Sequence, residues 1–249
     1  MSEIVSFIQS LDLPAAMYRR GAEQEPLPAY NSVAQAVTVG SQMTEFTKDV
    51  PQSIRPGISN GLLLGQLAAD KASAKNPDPL AWFTTFNTVL RGIGWQSTLS
   101  ELNEQSISHK NISLSQAIIP IVTEIVGAAA AAGSIIISVL KGLETMDQDA
   151  PWITVFERRS NKVSANNFGL SFVEGGAGGG ASLKTVYFSL IGAQMVTQVL
   201  FFKFASSDAK LKSAQSLMTL SAHTITLSES ALEQKVAPFI AENIKNIDI

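Results

Sequence analysis

Ser182 to Gly192 reads SLKTVYFSLIG, and a few residues on Val196 to Ala205 reads VTQVLFFKFA. Both stretches are rich in β-branched and aromatic residues and alternate with a period of two, which predicts two strands. What decides the fold is that neither has a polar face. In the first, Val186, Phe188 and Leu190 oppose Leu183, Tyr187 and Ile191; in the second, Val196, Leu200, Phe202 and Phe204 oppose Val199 and Phe201. A sheet that is apolar on both faces must be covered on both. The expectation is an α+β fold of one domain spanning residues 1–249, a three-layer α/β/α sandwich. Its helical N-terminal half wraps around a C-terminal antiparallel sheet.

Upstream of these strands, WITVFER (Trp152 to Arg158) and NFGLSFV (Asn167 to Val173) have the same β-rich composition, so residues 151–220 read as an antiparallel meander. Gly175 to Gly180 joins two of its strands. A phosphate-loop reading of that run fails, because no Lys-Ser/Thr pair follows it and strand rather than helix flanks it on both sides. Leu211 to Leu220 leaves strand and helix both open, with strand favoured. Ser228 or Ser230 caps a last helix, at 228–247, that Pro238 kinks or splits.

The N-terminal half carries helical spacing instead. Ile4 to Leu11 reads as a short helix closed by Pro14, and residues 32–49 as an amphipathic helix between Ser32 and Pro51. Residues 59–74 and the aromatic stretch after Pro79, with Trp82, Phe83 and Phe86 on one face, make two more. Residues 1–145 are thus mainly helical hairpins, interrupted by a weak strand from Trp95 to Leu102.

Ala117 to Leu140, AIIPIVTEIVGAAAAAGSIIISVL, carries one charge, Glu124. As a single helix it would cover roughly 36 Å, enough for a hydrocarbon core of about 30 Å. Its centre is small residues, and no Lys/Arg cluster flanks it. It reads better as one of the helices that cover the sheet, so that a charge at Ala130 is expected to unfold the protein.

Charged residues make up 16% of the chain and the formal net charge is −3, with the 18 Lys and Arg scattered; a nucleic-acid partner is not expected. No cysteine is present, which removes thiol chemistry. His109 and His223 are too few for a histidine metal site, and no G-x-S-x-G or paired carboxylates appear. Neither enzyme activity nor a cofactor is expected. Glu3 stands where a secretory signal would be basic, so the ordinary secretory route is not indicated.

Gln198-Val199-Leu200-Phe201-Phe202, then Ser213-Ala214-Gln215-Ser216-Leu217, resembles the C-terminal strands of the Cyt-type cytolysins, small insecticidal toxins found in bacterial crystals. The order of elements is also similar to that family: helical hairpins, a long apolar helix, long strands, a terminal helix. A second resemblance is to Evf-type virulence factors, although without cysteine no fatty acid can be cysteine-linked here. The resemblance implies a pore-forming or membrane-disrupting toxin, secreted or released by a non-classical route, with a cytoplasmic inclusion as a stage before release, and then associated with the target membrane. Its partner would be a lipid bilayer, on which it forms homo-oligomers. The alternative is a non-lytic protein that binds a lipid or acyl chain. The candidates for contact with the membrane are Val186, Phe188, Leu190, Val199, Leu200, Phe201, Phe202 and Phe204; those for lipid headgroups are Arg158, Arg159, Lys184 and Lys203.

Overall fold

The computed structural model describes residues 2–16, 27–74, 78–105, 112–161, 166–191, 198–204 and 210–248. In chain order the elements are α1 (Glu3–Ser10), β1 (Gln35–Val39), β2 (Gln42–Phe46), α2 (Arg55–Ser73), α3 (Pro79–Gly92), β3 (Gln96–Gln105) and β4 (Ile112–Ser113). There follow α4 (Leu114–Val126), α5 (Ala128–Ala132), α6 (Ile135–Gly142), α7 (Pro151–Ser160), β5 (Asn166–Gly175) and β6 (Ala181–Ile191). The last are β7 (Lys203–Phe204), β8 (Lys210–Leu220), α8 (Ala222–Asn243) and β9 (Ile244–Asn246).

Seven strands form one sheet in the order β3-β8-β6-β5-β2-β1-β9, with β4 and β7 paired separately. The long strands β5, β6 and β8 are antiparallel neighbours, as their composition predicts. The sheet is mixed rather than wholly antiparallel, because β2 runs parallel to β5. Two apolar clusters lie on its two faces. One packs α1, α2, α3 and α8 against Leu183, Tyr187, Ala214 and Met218; the other packs α4 to α7 against Val186, Phe188, Leu190 and Leu211. The α+β three-layer architecture follows from this two-sided burial.

Several elements differ from the sequence reading. The last helix, α8, starts at Ala222 and is capped by Ser221, which accepts from the Thr224 amide, rather than by Ser228 or Ser230, and it runs on past Pro238 to Asn243. Residues 32–49 are not a helix but hold the β1–β2 hairpin, in which Val39 pairs with Gln42 across a Gly40–Ser41 turn. Gly40 sits at φ 57, a left-handed conformation that a continuing helix cannot use. Gln66 of α2 fixes that turn: it accepts from the Ser41 amide at 3.0 Å and donates to the Val39 carbonyl at 2.7 Å. Trp152 to Arg158 is helical, within α7, with Pro151 at the first position and Arg158 and Arg159 in the last turn, where both favour helix. Val196 to Ala205 is not a strand through its described part, since only Lys203 and Phe204 pair, with Ser113 and Ile112. Val196 and His109 lie outside the described residues.

The Ala117 to Leu140 stretch is three helices. Gly127 at φ 87 ends α4, and Ser134 caps α6 by accepting from the Ile137 amide. Among the described residues, no helix is long and apolar enough to cross a membrane. Glu45 of β2, itself buried, anchors α6 by accepting from Ser134 Oγ at 2.6 Å and from the Ile136 amide at 3.0 Å. Between the two helices Gly127 to Ala130 is exposed. The expectation for Ala130 therefore reverses: Ala130→Lys should melt within about 2 °C of wild type, since surface substitutions shift stability by only about 0.5 kcal/mol. A drop well beyond that in a thermal melt would show that the tip is packed.

Candidate functional site

The eight apolar membrane candidates come together in one place. Val186, Phe188 and Leu190 point from β6 into the second cluster, where Val199, Leu200 and Phe204 are buried and Phe201 and Phe202 pack at its margin. The facing expected for Val199 and Phe201 against Leu200 and Phe202 does not occur, because Val199 to Phe201 form a turn instead of a strand. The segment is thus folded onto one core, and Phe202 meets Phe204 edge to face with ring centroids 5.0 Å apart.

What holds this turn is a buried carboxylate. Glu157, on α7 and 8% exposed, accepts from the backbone amides of Val199 and Leu200, the latter at 2.8 Å. Further tethers are the Leu114 amide, which donates to the Phe202 carbonyl at 2.8 Å, and an exposed Lys203–Glu144 ion pair at 3.6 Å. Burial pushes the Glu157 carboxyl up to about 7, with the Leu200 and Val199 amides acting against it. Sequence reasoning missed Glu157; the only signal was a lone acid in an apolar heptapeptide.

The sign of the pH effect follows. A folded pKa above the unfolded value of 4.5 means that the folded state keeps its proton longer, so stability is fully present below about pH 4.5 and is lost as pH rises to about 7. The loss is of order 2–3 kcal/mol. Urea unfolding of wild type minus Glu157→Gln, from pH 4.5 to 8, should show this decline; a flat difference would mean that Glu157 is effectively solvated.

Above this segment the helical layer is not closed onto the sheet. A cavity of about 440 Å³ separates α4 from β6 and β8, lined by Ile121, Glu124 and Ile125 on the helix and by Val186, Ser213 and Gln215 on the strands. Ile121 and Ile125 are accordingly only half-buried.

The basic candidates do not gather. Arg159 pairs with Asp70 of α2 at 2.7 Å and Lys184 with Glu174 at 3.1 Å, while Arg158 donates to the Glu242 carbonyl. Lys203 and Arg158 are the two of the four left at the surface. Among the described residues no group of His, Cys, Asp and Glu is arranged to hold a metal ion. His223 is exposed in the first turn of α8.

No family model matches the chain, and no curated protein matches it. Among solved structures, a delta-endotoxin is similar over 85% of this chain and 91% of its own, at 11% identity and a TM-score of 0.36. The Evf virulence factor is similar over 99% of this chain and 92% of its own, at 10% identity and a TM-score of 0.38. The activated Cyt2Ba monomer from Bacillus thuringiensis subsp. israelensis covers 63% of this chain and 93% of its own, at 15% identity and a TM-score of 0.29. These neighbours are of the Cyt and Evf kinds that the sequence resembles.

Proposed function

We propose that this chain is a cytolytic, membrane-disrupting protein in which the layer of α4 to α7 parts from the 198–204 segment and separates from the sheet on a bilayer. The observation that carries the reading is the packing of all eight apolar candidates into one cluster beneath that layer, six of them buried and Phe201 and Phe202 half-buried at its margin, with the layer's contact to β6 and β8 interrupted by the cavity under α4. Once uncovered, β5, β6 and β8 offer antiparallel strands of 10, 11 and 11 residues. A tilted strand needs about 9–11 residues to span a bilayer. Backbone polar groups in hydrocarbon are satisfied only in helices or closed barrels, and barrels begin at about eight strands. Three long strands per chain thus call for several copies, which is the reason to propose a homo-oligomer on the membrane.

Of the four basic candidates, Arg158 and Lys203 can meet anionic headgroups without first leaving a half-buried ion pair. No catalytic role is proposed. The test is dye release from liposomes of zwitterionic and of anionic lipid, before and after limited proteolysis. Release is expected; its absence across all compositions overturns the reading. The space under α4 favours a second reading, a non-lytic protein that holds a lipid or acyl chain. Co-purification of a lipid, seen by native mass spectrometry, together with liposome binding but no leakage, would select it.

A further inference from the structure

On the opposite face of the sheet, away from Glu157, a cleft of about 170 Å³ lies between the first turns of α3 and the adjoining ends of β6 and β8. Leu80 and Phe83 form its apolar wall, and Tyr187 and Ser189, two residues apart on the same face of β6, line it as well. The Tyr187 ring is fixed by stacking, with centroids 4.9 Å from Trp82 and 5.4 Å from Phe83. Among the described residues its hydroxyl nevertheless has no hydrogen-bond partner, nor has that of Ser189, and the two residues are only 3% and 2% exposed.

Two such orphans on one wall are costly. A buried unsatisfied hydroxyl costs about 1–3 kcal/mol, and buried polar groups in folded proteins are otherwise paired. The space beside them is the size of a small guest, since an apolar cavity of about 150 Å³ is enough to take up benzene. Charge selects the guest further. Burial and the nearby Asp70 carboxylate raise the Tyr187 phenol well above its ordinary range, so it stays a donor, while the ion pair of Asp70 with Arg159 leaves no net charge there to favour an ion. At the rim Asp78 and Lys212 carry opposite signs, which gives no net preference for a cation.

We infer that the α3–β6–β8 cleft binds a small neutral molecule that has an apolar ring or short chain and one hydrogen-bonding oxygen, held by the Tyr187 and Ser189 hydroxyls. The site does not depend on the membrane reading, because it lies on the face of the sheet that the first helical layer covers. Phenol is the simplest probe and benzene its control without a hydroxyl. Calorimetric titration of the full chain should show saturable one-to-one phenol binding. Tyr187→Phe keeps the stacked ring, and Ser189→Ala removes only a hydroxyl. Each should weaken phenol about three- to tenfold, the range of one net hydrogen bond, while leaving benzene unchanged. Thermal melts of both variants should match or exceed wild type, because each removes an orphaned polar group. The inference is overturned if wild type shows no saturable phenol binding at roughly 10 mM, the weak end of measurable affinity, or if the variants bind phenol as tightly as wild type.

Discussion

Arg55→Met is expected to destabilise the protein by about 3 kcal/mol and to lower its melting temperature by roughly 6–12 °C. Arg55 opens α2 and is fully buried, yet among the described residues no carboxylate pairs with it directly. Its guanidinium donates instead to backbone carbonyls: to Val33 at 2.7 Å, to Thr47 at 3.0 Å, and twice to Val50, at 3.0 and 3.2 Å. Phe46 lies against the cation, with its centroid 5.6 Å away. The three carbonyls flank the β1–β2 hairpin, Val33 ahead of β1 and the others after β2, so one side chain ties both ends of the hairpin to α2.

A buried ionic group can often be exchanged for an apolar one at little loss when its partners are exchanged too. Here the partners are main chain and cannot be removed. Methionine fills much of the arginine stem's volume, which keeps the cavity term small. Thr47 O retains the Val50 amide at 3.2 Å and Val33, itself 61% exposed, can turn its oxygen to water, but the Val50 oxygen would be left in the core. The loss matters because a domain of this kind is stable by only about 5–15 kcal/mol. Arg55→Lys should recover part of it, since one ammonium reaches one or two of the three oxygens. Urea denaturation of the three proteins checks the order; Arg55→Met within about 1 kcal/mol of wild type would mean that the loop relaxes to let water reach the carbonyls.

The same hairpin shows where sequence reading fails. Every residue of β1 and β2 is buried, including Gln35, Thr38, Gln42, Thr44 and Glu45, so the polar–apolar alternation that marks a half-exposed strand is missing. In β6 the residue types were β-rich and apolar on both faces, and there strand, facing and two-layer cover were all legible. α7 failed for the converse reason: Ile153, Val155 and Phe156 suggested strand, while the helix evidence lay in Pro151 and the two terminal arginines. The division of Ala117 to Leu140 rests on Gly127 adopting φ 87, a choice that side-chain pattern does not encode. As for the site, composition picked out the apolar residues that share one cluster. It could not supply Glu157, whose two acceptor contacts span 42 and 43 residues and end on backbone amides rather than side chains.

That attachment can be tested directly by locking the segment in place. In Ser113→Cys/Lys203→Cys, the new thiols replace a directly opposed antiparallel pair of β4 and β7. Such pairs have Cα atoms about 4.5–5.5 Å apart, within the disulfide range of about 4.4–6.8 Å. With no cysteine in the natural chain, this is the one bridge that can form. If the 198–204 segment must leave α4 for the sheet to reach lipid, the oxidised protein should release dye at least about tenfold more slowly than its reduced form, a difference of about 1.4 kcal/mol in barrier. Reduction should restore the rate, which separates the lock from the mutations themselves. The single variants divide those mutations further: Ser113→Cys removes the cap on the Gln116 amide, and Lys203→Cys removes the pair with Glu144. Equal leakage from oxidised and reduced protein would show that this segment stays seated during lysis. The inserting part would then have to come from the exposed Gly127 to Ala130 tip or from the first helical layer, because the even-numbered face of β6 would remain covered.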